Sequence, residues 1–377
     1  MRRLAPLLIL VLALAGCFGG SDDDRGGGTS PESGSDAAAP GTPGTATRNT
    51  TRIDSADPAQ SAAAIARAAY PGGKPGAVVL ADGGDWRGAL TASVLSGSPL
   101  RAPVLLSDGA DLPDATRDAL KALSPTGSAD AGGAQVIRVG DVPRPEGLKA
   151  VDVTAATAEE TARAMDTFAS GVAGKPSRTV IVTSSEKPEI AMIAAGWSAR
   201  SASPILFATK DAVPEVTQLA IRAHDKPRIY LLGGEDVLSK AVEQQLAKLG
   251  RVTRVSGADA TTTSIATARL RDSAAGWAVD DPGHGLVFLS SKAPVLAAGA
   301  APLSNSGTYG PPLILPADGS LPTALREYLL DIQPGYAESP VRGVYNHGWI
   351  VGDRTLVPLA TQSAIDELLE ISPVRSQ

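Results

Sequence analysis

Cysteine is nearly missing from this chain of 377 residues: Cys17 is the only one. A single thiol near the start gives no disulfide framework and no thiolate zinc site in the body of the protein. Histidine is scarce too, at His224, His284 and His347. None lies three to five residues from another, which argues against a metal centre or a histidine-dependent triad, and each reads as a surface or loop residue. Aromatic residues make up 4% of the chain, so the core must be built from Ala, Val, Leu and Ile. There is no Gly-x-Ser-x-Gly elbow, dinucleotide fingerprint or P-loop, and no acid pair stands out as a glycosidase couple. Positive charge is in deficit, with a net charge of −6 at pH 7. Such a chain has no electrostatic footprint for nucleic acid, and bulk charge would not draw it to anionic lipid or wall polymer. An anionic ligand would need a local basic cluster. The expectation is a protein that is not an enzyme and has no cofactor and no metal.

Long apolar runs are also absent. The longest, Leu4 to Ala15, follows Arg2 and Arg3 and closes on Leu14-Ala15-Gly16-Cys17. A membrane helix needs about 20 apolar residues, whereas a charged start, a short apolar core and small residues before a cut describe a secretory signal. The closing tetrapeptide resembles the lipobox of bacterial lipoproteins. That resemblance implies a signal peptide at residues 1–16, lipid attachment at Cys17 and an extracytoplasmic protein anchored to the cell membrane. Loss of Arg2 and Arg3 with the leader takes the net charge from −6 to −8. Residues 18 to about 50 are Gly, Ser, Thr, Ala, Pro and Asp, too poor in large apolar residues to fold. Residues 17–50 therefore read as the lipidated cysteine and a tether with an r.m.s. reach of about 30 Å.

Roughly 325 residues remain, more than one ordinary domain, and they repeat. Helical patterns at Asp57–Tyr70, Trp86–Leu95 and Asp114–Leu123 alternate with apolar strands around Val79, Val104 and Ile137. The order recurs with strands around Ile181, Ile205 and Tyr230, and again around Val287, Leu313 and Ile350. The first two strand centres lie 25, 24 and 26 residues apart in the three units. After each second strand comes an apolar residue and a proline, Leu112-Pro113, Val213-Pro214 and Leu321-Pro322, which suits the first turn of a helix. Short strands that are apolar on both faces and alternate with helices imply parallel sheets covered on both sides. The predicted fold is α/β, three Rossmann-like modules at residues 51–150, 151–256 and 257–377.

The stretch Arg228-Ile-Tyr-Leu-Leu-Gly-Gly-Glu-Asp-Val-Leu-Ser-Lys-Ala-Val-Glu-Gln-Gln-Leu resembles the end of a type 2 cell wall-binding repeat. Ala102-Pro103-Val104-Leu105-Leu106-Ser107 with Leu112-Pro113-Asp114, and Arg52-Ile53 with Asp57, resemble other parts of it. The resemblance implies three modules in a pseudo-threefold arrangement that hold cell-wall polymers (peptidoglycan-associated polysaccharide) non-covalently, with the membrane as second partner through the lipid on Cys17. The family's aspartate at the second helix start is missing from Trp86-Arg87-Gly88-Ala89, Lys187-Pro188-Glu189-Ile190 and Lys292-Ala293-Pro294-Val295. Its Gly-Gly after the third strand survives only in unit two.

Open α/β sheets bind ligands at the carboxyl ends of their strands. The residues predicted there are Asp82, Asp85, Ser107 and Asp108 in unit one, Thr183, Ser184, Glu186, Thr209 and Lys210 in unit two, and Ser290, Ser291 and Lys292 in unit three. Gly83, Gly84, Gly140, Gly233, Gly234 and Gly352 read as turn residues rather than phosphate cradles. A solute-binding lipoprotein is the alternative, and it requires two lobes about a hinged cleft. An envelope hydrolase has no supporting motif.

Overall fold

Aspartate or proline caps open many of the described helices, among them Asp57, Asp85, Pro113, Pro214, Asp259 and Pro322. A computed structural model describes residues 46–305 and 309–373, all within the unit Ala38–Gln377. The leader, Cys17 and the tether up to residue 45 lie outside the described residues. The last stretch assigned to the tether does not behave as spacer: Asn49 and Thr50 are buried, and β1 (Thr50–Ile53) begins there.

α1 (Pro58–Ala69) is capped by Asp57, whose carboxylate accepts from the Gln60 amide at 2.9 Å, with Pro58 at its first position. Such a cap contributes about 1 kcal/mol. Then come β2 (Val78–Asp82), α2 (Trp86–Ala92) continued by a 3-10 turn at Ser93–Ser96, β3 (Val104–Ser107), α3 (Asp114–Leu123), β4 (Val136–Val139) and β5 (Ala150–Val153). The second round is α4 (Ala158–Val172), β6 (Thr179–Ser184), α5 (Pro188–Ala191), α6 (Ile193–Ser201), β7 (Ile205–Ala208), α7 (Glu215–Arg222), β8 (Arg228–Leu232), α8 (Lys240–Ala247) and β9 (Arg251–Val255). The third is α9 (Ala260–Arg269), β10 (Gly285–Ser290), α10 (Leu296–Ala300) with a 3-10 turn at Ala301–Ser304, β11 (Tyr309–Leu315), α11 (Thr323–Asp331), β12 (Gly335–Tyr336), β13 (His347–Val351), α12 (Leu359–Leu368) and β14 (Ser372–Pro373).

These strands form three four-stranded parallel sheets of one design, β3-β2-β4-β5, β7-β6-β8-β9 and β11-β10-β13-β1, flanked by helices. The fourth strand of the first two sheets is the segment just before the next module's opening helix. The third sheet takes its fourth strand from the start of the chain, so β1 closes the ring. A boundary drawn at 150/151 would pass through β5, which pairs with β4. In two of three modules the expected strand centres are register partners, Val79 with Val104 and Ile181 with Ile205. In the third, Leu313 lies opposite Phe288 rather than Val287, after a register shift near Gly285. Pro311 and Pro312 are tolerated in β11 because it is an edge strand. Pro113, Pro214 and Pro322 stand one residue ahead of the helices, as caps with ψ near 150°. There the missing N–H costs nothing, and the extended ψ turns the chain into the first helical residue.

One continuous apolar core runs through all three sheets, and a smaller cluster lies between α1, α3 and the first sheet. At the centre α2, α6 and α10, with their 3-10 extensions, pack on one another. Small residues make this approach possible: a Cβ on Gly299 would fall 2.7 Å from the Cβ of Ala62 in α1, and one on Gly196 would fall 2.8 Å from Pro312 Cδ. Polar ties cross every seam in the same sense. Arg87 Nε donates to the Ser185 carbonyl (2.7 Å), Trp197 Nε1 to the Ala275 carbonyl (2.7 Å), and Asn305 Nδ2 to the Ser96 carbonyl (2.9 Å). Among the described residues the result is three like units closed in a ring, with no two-lobed cleft of the kind a solute-binding protein requires.

Candidate functional site

The carboxyl ends of the strands hold the residues singled out from the sequence, gathered into three separate clusters. Asp82 Oδ1 accepts from the Gly84 amide (2.8 Å) and the Gly109 amide (3.2 Å), which pins the β2 loop to the β3 loop. Asp85 caps α2 through the Arg87 and Gly88 amides (3.1 and 3.2 Å). A helix-start aspartate is therefore present in this module, immediately ahead of Trp86 and three residues before Gly88, where the resemblance would put it. Ser107 is buried and donates to the Ala81 carbonyl, and Asp108 is exposed, its backbone paired with Asp111.

In the second module Glu186 does the work of Asp82, accepting from the Lys210 amide at 3.0 Å. Ser184 accepts from the Glu186 amide, Thr209 donates to the Ala212 carbonyl, and Thr183 is fully buried. In the third, Ser290 accepts from the Lys292 amide and donates to the Pro316 carbonyl, while the Ser291 amide donates to the Leu315 carbonyl. Most of these polar groups thus serve loop geometry. Those left facing solvent are Asp108, Glu186, Lys210 and Lys292. Among the turn glycines, Gly140, Gly233 and Gly352 have positive φ, and each follows the third strand of its sheet.

Sequence reasoning missed a set of arginine clamps behind those glycines. Arg52 on β1 donates to the carbonyls of Gly352 (2.7 Å) and Val357 (2.9 Å) and to Gln362 Oε1 (2.8 Å). Arg254 on β9 donates to the carbonyls of Gly233 (2.7 Å) and Leu238 (2.9 Å) and pairs with Glu243 (2.9 Å). The first sheet inverts the arrangement. Its fourth strand carries Asp152, and Arg138 on neighbouring β4 bonds both Asp152 (2.7 Å) and the Val142 carbonyl. A signal was available: Arg52, Asp152 and Arg254 each precede a helix cap, Asp57, Thr157 and Asp259, by five residues.

A cavity of about 350 Å³ opens at the seam between the first and second modules, a size at the lower end of small-ligand sites. Leu95, Leu100 and Val172 contribute apolar wall, and exposed Lys175 and Arg178 stand at its edge. Asp166 and Ser177 also line it, and both are held by His224. That histidine is buried, contrary to the surface position expected of it. Nε2 lies 2.8 Å from Asp166 Oδ2 and Nδ1 lies 2.8 Å from the Ser177 carbonyl. A carbonyl and an ionised carboxylate only accept, so with Asp166 ionised both ring nitrogens donate, and these contacts favour the imidazolium form. Burial works against that charge, but the hydrogen bond and charge of Asp166 and the Ser177 carbonyl outweigh it, raising the His224 pKa above its ordinary value. Among the described residues no group of His, Cys, Asp and Glu is arranged to hold a metal ion. No described helix is long and apolar enough to cross a membrane.

Residues 148–243 match the family model of cell wall binding domain 2 (CWB2). They span β5 to the middle of α8 and so include the cavity's Asp166–Pro204 wall. Two solved structures from Clostridium difficile share the fold. Cwp8 is 16% identical, with a TM-score of 0.65, over 85% of this chain and 52% of that one. Cwp6 is 19% identical, with a TM-score of 0.64, over 85% of this chain and 48% of that one. The chain thus spans about half the length of the structures it matches. No curated protein sequence matches it.

Proposed function

We propose that this chain is a non-enzymatic cell wall-binding protein, lipid-anchored at Cys17 to the outer face of the cell membrane, with residues 18–45 as its leash. The observation that carries this reading is the CWB2 match over residues 148–243, supported by the same four-stranded sheet being built three times. The polymer-facing surface is the ring of three modules, and the seam cavity beside Lys175 and Arg178 is its entry point for an anionic saccharide. The net charge of −8 expected after leader removal makes such a local cationic pair necessary rather than incidental.

The test is co-sedimentation of the chain from Cys17 onward with purified wall sacculi. Binding should weaken as salt rises from 50 to about 500 mM, as exposed ionic contacts are screened. The Lys175→Glu, Arg178→Glu variant should bind about tenfold less, the loss of two such contacts at about 0.7 kcal/mol each. Absence of sedimentation at low salt removes the wall-binding role. Sedimentation that the double variant leaves unchanged moves the site away from this seam. Mass analysis of the N-terminal peptide tests the lipid on Cys17 independently.

A further inference from the structure

The loop between α11 and β13 sets the third module apart from its siblings. At the corresponding place the first module has Ser124–Gln135, without a large apolar side chain, and the second has only Ala223–Pro227. The third has residues 333–346, which include Tyr336-Ala337-Glu338-Ser339-Pro340-Val341 and Val344-Tyr345. Six large apolar residues are exposed among those described, and four of them fall between 330 and 345: Leu330, Val341, Val344 and Tyr345. Val341 is 82% exposed, Val344 53% and Tyr345 50%. The loop is nonetheless built. The Tyr345 hydroxyl donates to the Pro340 carbonyl (2.7 Å), Asn346 Nδ2 donates to the Ile332 carbonyl (2.8 Å), and β12 pairs with β14. It presents apolar groups on a held frame, and a concentrated patch of that kind is an interaction surface rather than ordinary exposure.

Its position says what it meets. The loop feeds into β13 at the amino-terminal end of the third sheet. β1 lies beside β13 in parallel, Thr50 opposite Gly348, so the chain joins the fold at that same end, through the turn at Thr47–Thr50. At about 3.3 Å per residue along a strand and 4.8 Å between strands, Ala46 lies within roughly 20 Å of Tyr345. The leash, residues 18–45, is 28 residues, with an expected r.m.s. length of about 30 Å. An amphipathic tyrosine preceded by Val344, with Val341 four residues before it, suits the boundary between headgroups and acyl chains.

We propose that this loop is a second, weak membrane contact, in which Val341, Val344 and Tyr345 enter the interfacial layer of the bilayer that holds the lipid on Cys17. The proposal rests on the tether part of the preceding reading. The leash makes a weak contact sufficient, because insertion becomes intramolecular, with an effective concentration in the millimolar range for a short flexible linker. The contact is mainly apolar, so salt should not weaken it, in contrast to wall binding.

The experiment couples the chain from Cys17 onward, through its single thiol, to a maleimide lipid in uncharged phosphatidylcholine vesicles. The leash is then present whether or not cells acylate Cys17. Hydrogen–deuterium exchange of peptides covering 335–346 is compared with and without vesicles. A loop of millimolar affinity would be engaged in about half the molecules, slowing exchange about twofold or more, while residues 124–135 stay unchanged. Val341→Asp with Val344→Asp should abolish the slowing without altering sacculus sedimentation, since both side chains are exposed. Unchanged exchange on vesicles would overturn the proposal. So would slowing that grows with protein concentration in the absence of vesicles, which would assign the patch to a second copy. Sacculus binding is measured separately, so failure of wall binding and failure of membrane contact cannot be confused.

Discussion

Replacing Arg52 with methionine removes the guanidinium that fastens β1, and with it the closure of the ring, while keeping most of the stem volume. The side chain is fully buried and holds three acceptors: the carbonyls of Gly352 and Val357 and Gln362 Oε1. Burial lowers its pKa; Asp54 raises it, Arg354 lowers it and Asp353 raises it again. Each hydrogen bond from a charged donor contributes about 1.5–3 kcal/mol. Gln362 keeps its bond to Thr50 Oγ1 at 3.0 Å and can reorient, so the full sum is not lost. The expected destabilisation is about 4 kcal/mol, within the range of about 3–5 for removing one member of a buried charged network.

The loss should be local. β1 is an edge strand, and it meets only β13 within its sheet, so it can separate without melting the other two modules. Native-state hydrogen exchange is the assay. At tenfold per 1.4 kcal/mol, amides of β1 and the Gly348 and Gly352 amides that bond to it should exchange about a thousandfold faster in the variant. Amides of β6 and β8 should not change. The matched Arg254→Met variant should lose less, about 2 kcal/mol, because that arginine and its partner Glu243 are partly exposed and solvent screens their pairing. A change below about 1 kcal/mol at β1, or an equal acceleration in all three sheets, would refute the idea that Arg52 is the fastener of the ring.

His224 should make stability depend on pH. Its pKa is raised in the folded state, so its contribution is fully present below the ordinary value near 6.5 and is lost as pH rises through the folded value. Thermal unfolding should therefore fall in temperature above about pH 6.5, and Asp166→Asn, which leaves burial as the main influence, should reverse the slope. Gly299→Ala should cost about 1–3 kcal/mol by driving α10 away from α1, measured by urea unfolding, since the new methyl would meet Ala62 at 2.7 Å. Trp197→Phe should cost about 1–2 kcal/mol, because the Ala275 carbonyl loses its 2.7 Å donor at the seam between modules two and three.

The repeat of strand and helix was legible because it rests on local chemistry: apolar runs long enough for a strand buried on both faces, with aspartate or proline where a helix begins. The start of α4 is set by the same kind of local signal, a capping box of Thr157 and Glu160. The fourth strand of the second sheet, β9, could be read from Val252-Thr253-Arg254-Val255, but those of the first and third sheets were not legible in the same way. β5 reads Ala-Val-Asp-Val and β1 Thr-Thr-Arg-Ile, short and interrupted by charge. Their charges serve side-chain bonds to the third-strand loops, a tertiary role that periodicity cannot announce. The candidate residues lie at or just past the carboxyl ends of their strands, with Asp82, Ser107, Ser184 and Ser290 the last residues of β2, β3, β6 and β10. What the sequence could not convey is that Asp82, Ser184, Glu186 and Ser290 bond backbone amides within and between these loops. His224 failed for a related reason: its partners, Asp166 and the Ser177 carbonyl, are 58 and 47 residues away.

The segment that closes the ring is also the first to feel a pull from the chain before it. Load arriving at Ala46 passes into the turn at Thr47–Thr50 and then into β1. This entry is reinforced more heavily than an edge strand of four residues requires. Thr47 Oγ1 and the Asn49 amide both donate to Asp366, Asn49 Nδ2 donates to Glu370 Oε2, and Arg48 pairs with Glu370 at 2.8 Å. Arg52 adds its three bonds five residues further in. These run to α12 or to the turns on either side of it, so a pull on β1 is shared with the last helix instead of being borne by the β1–β13 ladder alone. A ring that closes through its first strand gains stability from the closure only while that strand stays docked. Under the membrane tether and wall binding proposed above, the clamp on α12 would keep tension along the chain from opening the ring.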